Sequence, residues 1–242
     1  MRILWKGWKK IVVTAISSVY ARYFYHRVIV NPRLQNIIQN EFHKLYYYSS
    51  ERTWRNTHWL NSPTLKCPLD LWIYHDIIVE TKPDIIIETG TAAGGSALFL
   101  ATVCDAVNRG TIFTVDIARN TMCPRHKRIK YFTGSSTSEQ VVRTIQQRIQ
   151  ANDRVMVILD SNHIKEHVMN ELSAYSPLVT KGNYLIVEDT HLHGHPVKPH
   201  FPPGPMEAVH EFLRKNTYFT TDRTREKYYM TFFPNGFLKR IR

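Results

Sequence analysis

The sequence contains little cysteine and shows no periodic use of glycine or proline. Among its 242 residues are only three cysteines, Cys67, Cys104 and Cys123, and they form no C-x-x-C pair. This spacing excludes a zinc knuckle, and a chain of this length needs no disulfides to fold. We therefore expect three reduced thiols that behave as small hydrophobic residues, in a reducing compartment. The ten glycines and twelve prolines have no fixed period, which excludes a collagen-like or low-complexity chain.

Long apolar runs are also missing. The apolar or small stretch near the N-terminus covers residues 11–21 and ends at Arg22, whereas a membrane-spanning helix needs about 20 residues. We therefore expect no transmembrane helix in this region. A secretory signal is an alternative for the same segment. Export would separate the protein from the cofactor inferred below, so we expect a cytoplasmic location.

Acidic residues are absent from residues 1–40, which carry seven basic residues. Residues 214–242 carry eight basic and two acidic residues, so the net charge of +12 is concentrated at the two ends. The basic and aromatic residues 1–30 are typical of an amphipathic helix that contacts an anionic membrane surface peripherally. Alternatively, this helix packs on the domain or on a second subunit of a homo-oligomer. Charge alone is weak evidence for nucleic acid, and we expect no such partner.

The hydrophobic pattern predicts an α/β fold. Short apolar runs alternate with helical segments from residue 85 onward, as in a mainly parallel sheet that is covered on both faces. The strands are predicted at 85–87, 111–115, 129–133, 155–159 and 184–187, and the helices at 96–107, 137–150 and 163–174. We expect a helical N-terminal extension over residues 1–60, helical in 32–60, and one α/β domain over residues 61–242.

Two local signals refine this prediction. Ser136 and Glu139 have the spacing of a capping box, so a helix is expected to start there. After a helix at 206–214, strands are predicted around 218–220 and 228–233, with a Pro-Asn-Gly turn at 234–236. The sheet should therefore close with an antiparallel hairpin, unlike that of an ordinary dinucleotide dehydrogenase.

A glycine-rich turn follows the first strand of the predicted sheet. It reads Glu88-Thr89-Gly90-Thr91-Ala92-Ala93-Gly94-Gly95-Ser96 and leads into a helix whose first N–H groups are free. Asp116 ends the next strand, at the position where a carboxylate can hold a ribose diol. Together the turn and Asp116 predict a site for an adenosine-type cofactor.

Glu88 indicates which adenosine cofactor this is. A carboxylate directly before the first glycine would repel a pyrophosphate, but it suits the ammonium or sulfonium end of S-adenosylmethionine. No G-K-[ST] sequence follows, so a P-loop is excluded. The sequence therefore favours S-adenosylmethionine over a dinucleotide.

Acidic residues also end two further strands. Asp160 follows the strand at 155–159, and Glu188 and Asp189 follow the strand at 184–187. Three carboxylates at one edge repel each other unless a cation lies among them, and oxygen ligands suit Mg²⁺. Such an ion could hold a substrate hydroxyl beside Asp160, and His163 could act as the general base. A capping or supporting role for His163 is the alternative.

Histidine motifs support two competing hypotheses. His163, Glu166 and His167 fit the H-x-x-E-H pattern of a zinc-peptidase class, although the preceding parallel strand is the wrong context. The second motif is the cluster of His191, His193 and His195, which could instead belong to a mobile lid over the acceptor. A metal-dependent hydroxylase or hydrolase that uses this cluster is therefore one alternative function. A non-catalytic binding module that keeps the cofactor fold is another.

Several motifs together resemble one known family. They are Lys66-Cys-Pro-Leu-Asp-Leu-Trp-Ile-Tyr74, the turn at 87–96, Gly134-Ser135-Ser136, Val157-Ile-Leu-Asp-Ser-Asn-His163, Val187-Glu-Asp189, Gly194-His-Pro-Val197 and Pro234-Asn-Gly-Phe-Leu-Lys-Arg240. The chain is similar in these motifs to the cephalosporin hydroxylase/rhamnosyl O-methyltransferase family of class I S-adenosylmethionine-dependent methyltransferases. The motif set extends from about residue 45 to the end, so it says nothing about residues 1–40.

This resemblance implies a Rossmann-like, seven-stranded sheet and an O-methyltransferase activity. Asp160, Glu188 and Asp189 match the magnesium ligands of the family, and Gly134, Ser135 and Ser136 would lie along the adenine. The implied acceptor is a hydroxyl of a sugar, a glycolipid or a secondary metabolite.

Overall fold

The structure, a computed structural model, describes residues 17–24, 31–51 and 53–242. Contacts divide the chain into two compact units, Met1–Leu45 and Tyr46–Arg242, so the division falls earlier than the boundary expected at residue 60. Within the described residues, no helix is long and apolar enough to cross a bilayer. Most of the helix expected over residues 1–30 lies outside the described residues, which include only 17–24 of it.

The helical segment expected over residues 32–60 ends earlier than predicted. Residues 17–24 are helical (α1) and exposed, and helix α2 covers Pro32–Tyr48. Helix α2 begins where Asn31 Oδ1 accepts a hydrogen bond from Arg33 N at 3.0 Å. It does not continue to residue 60, because a 3₁₀ turn at Thr53–Asn56 and a hairpin of β1 (His58–Trp59) and β2 (Ser62–Pro63) follow.

A seven-stranded sheet forms the centre of the second unit, in the order β5-β4-β3-β6-β7-β9-β8. The first five strands in this order are parallel, and β9 pairs antiparallel with both β7 and β8. Because strand order reverses between β3 and β6, a crevice opens at the carboxyl ends of these strands. The strands are β3 (Ile85–Thr89), β4 (Thr111–Asp116), β5 (Ile129–Thr133), β6 (Val155–Leu159), β7 (Tyr184–Val187), β8 (Phe219–Thr221) and β9 (Phe237–Arg240).

Helices cover both faces of the sheet and bury two hydrophobic cores. One core includes side chains of α3 (Pro68–Thr81) and α4 (Gly95–Ala106), and the other includes side chains of α5 (Glu139–Gln146), α6 (Lys165–Tyr175) and α7 (Pro205–Lys215). Strands β3, β6 and β7 are buried along their whole length, which explains the continuous apolar sequences of β6 and β7 and the apolar start of β3. The predicted fold class, a mainly parallel sheet with a terminal antiparallel hairpin, is confirmed.

The terminal hairpin uses a different strand from the one predicted. Residues 228–233 form no strand, and the partner of β8 is β9, which follows the Pro-Asn-Gly turn. The apolar residues before the turn are buried in irregular backbone instead, where Phe232 N donates to Asp70 Oδ2 at 2.9 Å. The Asp70 side chain of α3 thus accepts the hydrogen bond of Phe232 N, which a neighbouring strand would otherwise accept.

Two helix starts also differ from the prediction. Helix α5 is capped by Ser138, whose Oγ accepts from Val141 N at 3.3 Å, so the predicted Ser136 capping box is wrong. Ser136 does not cap the helix. Its Oγ instead lies 3.2 Å from His167 Nε2. Helix α6 starts at Lys165, so His163 precedes this helix instead of lying on its first turn.

Candidate functional site

The carboxyl ends of β3, β4, β6 and β7 meet at one crevice of about 440 Å³. The predicted residues that line it come from the turn after β3, from the end of β4 and from the loops after β6 and β7: Gly90, Thr91, Gly95, Ser96, Asp116, Asp160, His163 and Asp189. The register brings them together, since Thr89 pairs with Val115 of β4 and with Leu159 of β6. The crevice therefore combines the two sites that the sequence predicted separately.

Glycine is required where the turn passes close to neighbouring backbone. Gly90 has a φ of +87°, and a Cβ placed on it would lie 1.9 Å from Asp160 O. A Cβ on Gly95 would lie 2.2 Å from Pro63 O. Side chains at these positions would push the turn away from β6 and from the β-hairpin. The backbone of the turn can therefore pack closely against Asp160 and Pro63 while it lines the crevice.

Asp116 lies at the end of β4 and contacts the glycine-rich turn. Its Oδ2 accepts hydrogen bonds from Thr91 N at 3.0 Å and from Ala92 N at 2.9 Å. The side chain therefore fixes the turn while it lines the crevice. The structure brings Asp116 to the turn, as the predicted cofactor site requires.

Glu88 lies beneath the crevice and does not line it. Its side chain is fully buried, Oε2 accepts from Thr114 Oγ1 at 2.6 Å, and Oε1 has no hydrogen-bond partner among the described residues. Burial raises the pKa of this carboxyl, while Lys66 opposes the shift. The orphaned oxygen leaves negative potential under the turn, which fits a cationic ligand above it.

A smaller cavity of about 220 Å³ adjoins the turn between β4 and β6. Ser135, Ser136 and Asp116 line it with His167. His167 Nε2 lies 3.2 Å from Ser136 Oγ and 3.0 Å from Ser161 Oγ. Gly134 and Gly94 lie outside both cavity linings.

Asp160, His163 and Asp189 form the group best placed to hold a metal ion. One potential ligand atom from each lies within 4.8 Å of the other two, and all three side chains are half-buried at the crevice. His163 Nε2 lies 3.1 Å from Asp189 Oδ2. Asp189 also has a φ of +55°, in the left-handed region that aspartate adopts more readily than most residues.

Glu188 is not part of this group, which departs from the predicted ligand set. Its side chain is buried, and both carboxylate oxygens lie 2.7 Å from Lys66 Nζ. Tyr74 OH donates a further hydrogen bond to Glu188 Oε1 at 2.6 Å. Glu188 therefore faces the protein interior, while Asp160 and Asp189 face the crevice.

Lys66 is the site residue that sequence reasoning missed. Its Nζ also contacts Asp160 Oδ2, so the lysine joins the ends of β6 and β7. Burial lowers the pKa of Lys66, but Asp160 and Glu188 raise it further, so the pKa lies above its ordinary value and the amine stays charged. These partners are 94 and 122 residues away in sequence, and no local pattern indicates such contacts.

Aromatic side chains line the opposite wall of the larger crevice. Tyr47 and Trp54 stack with ring centroids 5.5 Å apart and an interplanar angle of 12°. Leu192, Lys198 and Phe201 complete this wall. These aromatic and apolar residues line the same crevice as the acidic group.

The histidine motifs do not form metal sites among the described residues. His195 Nε2 lies 2.8 Å from Glu207 Oε1, His193 Nδ1 contacts Phe201 O, and His191 lies 3.4 Å from Asp189 Oδ1. His163 and His167 contact different partners, and only His163 belongs to the acidic group. Neither competing histidine hypothesis is therefore supported by the geometry.

Comparisons with known proteins identify the family. A family model described as rhamnosyl O-methyltransferase/CmcI matches residues 51–241. The rhamnosyl O-methyltransferase of Mycobacterium tuberculosis (strain ATCC 25618 / H37Rv) is 32% identical over 253 residues, which cover 99% of this chain and 100% of that protein. The protein of the same name from Mycobacterium leprae is 36% identical over 209 residues, which cover 84% of this chain and 90% of that protein.

Solved structures support the same fold. A CmcI structure with Mg and SAM has a TM-score of 0.60 and 19% identity, covering 78% of each chain. A structure of a caffeoyl-CoA O-methyltransferase from Staphylococcus aureus has a TM-score of 0.52 and 18% identity, covering 78% of this chain and 93% of that one.

Proposed function

This chain belongs to the rhamnosyl O-methyltransferase/CmcI family of S-adenosylmethionine-dependent O-methyltransferases, and we propose that it methylates a hydroxyl of a deoxysugar on a glycolipid with the assistance of Mg²⁺. The observation that carries the proposal is the single crevice. It joins a glycine-rich turn and Asp116 to a group of metal-ligating side chains and an aromatic wall. A methyl donor and a metal-held hydroxyl need this proximity in order to react.

The cofactor part of the proposal uses the turn and the smaller cavity. Gly90 to Ser96, including Thr91, Gly94 and Gly95, would carry the methionine part, and Asp116 would hold the ribose. Ser135 and Ser136 would lie along the adenine, with Gly134 shaping the loop. The orphaned buried oxygen of Glu88 supports a positively charged donor above it.

The donor set of the acidic group fits a hard divalent ion. Asp160 and Asp189 would hold Mg²⁺ through oxygen atoms. When bound, the ion orients the acceptor hydroxyl and lowers its pKa. With Nε2–H directed at Asp189 Oδ2, His163 Nδ1 would take the hydroxyl proton. The hydroxyl oxygen then bonds to the methyl carbon as the carbon–sulfur bond breaks, leaving S-adenosylhomocysteine.

The aromatic wall supports a deoxysugar as acceptor. The relatives named above are rhamnosyl O-methyltransferases, and rhamnose carries a C6 methyl group in place of a hydroxyl. The stacked rings of Tyr47 and Trp54, together with Phe201, give this methyl group and the apolar face of the sugar a surface to pack on.

Peripheral contact with an anionic membrane is the last part of the proposal. Residues 1–40 carry seven basic residues and no acid. In α1, Tyr20, Tyr23 and Phe24 are 70%, 58% and 58% exposed. Exposed aromatic rings next to basic residues are typical of a segment that lies at a lipid surface. Such contact would bring the crevice to a glycolipid acceptor in the membrane.

Two measurements test this function. Calorimetry should detect S-adenosylmethionine binding in the micromolar range, and no binding would contradict methyl transfer. Transfer of labelled methyl groups can then be compared between octyl α-L-rhamnoside and octyl α-L-mannoside, which differ only at C6. We expect faster transfer to the rhamnoside, whereas equal rates would contradict the deoxysugar acceptor.

A further inference from the structure

A leucine with a strained backbone lines the larger crevice. Leu65 follows β2 and has a φ of +54°, in the left-handed region that a bulky side chain rarely adopts. Its side chain is 43% exposed, and among the described residues Leu65 belongs to neither hydrophobic core. Glycine or asparagine would adopt this conformation with less strain and would expose no hydrocarbon. A leucine at this position therefore indicates a role other than packing of the core.

The chain is fixed on both sides of Leu65. Thr64 is buried, and its N–H donates to Thr57 O at 2.9 Å. Cys67 is buried at the start of α3, and its carbonyl accepts from Asp70 N at 3.0 Å. A left-handed residue other than glycine persists where the surrounding structure determines its backbone, and such residues cluster at active sites and ligand-binding sites.

Leu60 has the same backbone conformation for a different reason. With Asn61 it forms the two-residue turn between β1 and β2, and the two residues have φ values of +45° and +65°. Two-residue hairpins favour turns in which both central residues have a positive φ. Leu60 is 68% exposed and lies outside both cavity linings. The hairpin explains the conformation of Leu60, whereas Leu65 lies outside this turn and faces a cavity.

The position of Leu65 in the crevice indicates what it contacts. It lines the larger crevice with the aromatic wall of Tyr47, Trp54 and Phe201, and it is not part of the smaller cavity that Ser136 lines. Pro63, two residues earlier, packs so closely on the glycine-rich turn that a Cβ on Gly95 would lie 2.2 Å from Pro63 O. Leu65 is therefore placed beside the turn and away from the cavity proposed for the adenine.

We propose that Leu65 is a specificity-determining residue that packs against the C6 methyl group of the deoxysugar acceptor. This inference rests on the proposed function, because it assigns a contact to the acceptor of that reaction. Contact between the methyl group and the leucine side chain removes apolar surface of both from water. A hydroxyl on C6 would lose hydrogen bonds to water against the same hydrocarbon, so a sugar that carries one should bind less well.

Leu65→Asn tests the inference through the choice of acceptor. The preference is the ratio of kcat/KM for octyl α-L-rhamnoside to that for octyl α-L-mannoside. We expect this ratio to fall about fivefold or more, since one methyl contact in an apolar pocket is worth about 10- to 200-fold in discrimination. The affinity for S-adenosylmethionine, measured by calorimetry, should change by less than about twofold. An unchanged ratio, or a loss of cofactor affinity as large as the loss of preference, would overturn the inference.

Thermal unfolding gives a readout that needs no turnover. Leu65→Asn should melt at or above the wild-type temperature, because asparagine tolerates the left-handed conformation. A melting temperature lowered by more than about 5 °C would show that Leu65 supports the fold, and it would overturn the inference. Leu65→Met keeps an apolar side chain and should keep the acceptor preference within about twofold of the wild-type value. A loss in Leu65→Met equal to that in Leu65→Asn would contradict an apolar contact.

Leu60→Asn is the matched control, because it makes the same substitution at an exposed leucine with the same backbone conformation. It should keep the wild-type preference, and a fall equal to that of Leu65→Asn would contradict a local effect. Failure of the inference can be distinguished from failure of the proposed function. Equal rates of the wild type with both sugars would overturn the proposed acceptor and this inference together. A wild-type preference that Leu65→Asn retains would overturn this inference alone.

Discussion

Asp160 is the residue in which the proposed cofactor and metal sites meet. Its backbone oxygen lies against Gly90 of the turn, and its side chain belongs to the acidic group. A substitution that keeps its shape but removes its charge should therefore separate the two functions.

Asp160→Asn should lower the turnover number by about 100-fold or more, because the substrate hydroxyl loses its metal-based activation. The affinity for S-adenosylmethionine should change by less than about threefold, since the turn keeps its backbone contacts. Steady-state kinetics and calorimetry measure the two quantities. Normal turnover in this variant would remove the metal from the mechanism.

His163→Gln should lower the rate of methyl transfer by about 10² to 10⁴-fold without loss of cofactor binding, because the general base is removed. The remaining rate should increase with pH, as hydroxide takes over the role of the base. Single-turnover rates between about pH 6 and pH 9 measure this effect. His75→Gln is the control, since His75 is exposed on α3 outside both cavity linings. A rate independent of the His163 substitution would assign the proton to solvent.

The sequence predicted fewer than half of the residues that line the crevice, and it did not predict their mutual orientation. The glycine-rich turn, Asp116, Asp160 and Asp189 could be predicted, because acids and glycines at strand ends form a local pattern. Glu188 and Asp189 are adjacent, and the pattern cannot tell which of them faces the crevice. That is decided by Lys66 and Tyr74, which are distant in sequence and engage Glu188.

At the scale of secondary structure elements, α3 links the site to the C-terminal segment. Its Asp70 is 1% exposed, and Oδ2 accepts from Phe232 N at 2.9 Å. Burial raises the pKa of Asp70 from 3.8 to about 7. Between these two pH values the folded protein binds a proton at Asp70 that the unfolded chain has lost.

This pKa predicts a specific dependence of stability on pH. The contribution of Asp70 to the free energy of unfolding is fully present below about pH 4 and is lost as the pH rises through about 7. Asp70→Asn should abolish this component, so the wild type should lose roughly 2–4 kcal/mol relative to the variant between pH 4 and pH 8. Urea unfolding of both proteins across this range measures the difference. Parallel curves for the two proteins would contradict the raised pKa.

The differences between predicted and observed elements have local causes. Residues 228–233 have the composition of a strand, yet the N–H of Phe232 donates to a buried aspartate on α3 instead of to a neighbouring strand. Ser136 has capping-box spacing, but Ser138 caps α5 and Ser136 contacts His167. In each case a tertiary contact competes with a local pattern, and a single sequence does not reveal that contact. The parallel strands were predictable because burial on both faces leaves a continuous apolar run.

At the scale of the whole molecule, charge is distributed unevenly. Residues 1–40 carry seven basic residues and no acid, and α1 has exposed aromatic residues, while the acidic group lies at the carboxyl edge of the sheet. If the acceptor is a glycolipid, membrane contact through the N-terminal residues would give the acidic group access to its substrate.

Removal of residues 1–30 should abolish co-sedimentation with vesicles that contain anionic lipid, because the basic and aromatic residues are lost together. The full chain should bind these vesicles and should release them as salt is added. Vesicles of zwitterionic lipid alone are the control and should bind neither protein. Equal binding of the full and shortened chains to anionic vesicles would contradict the membrane role of residues 1–30.

The most direct test of the account is a crystal structure with S-adenosylhomocysteine and Mn²⁺, in which anomalous scattering locates the metal ion. We predict the nucleoside along the Gly90–Ser96 turn with its ribose at Asp116, and the ion in direct contact with carboxylate oxygens of Asp160 and Asp189. A metal ion on His191, His193 and His195, or a nucleoside bound away from this turn, would contradict the account.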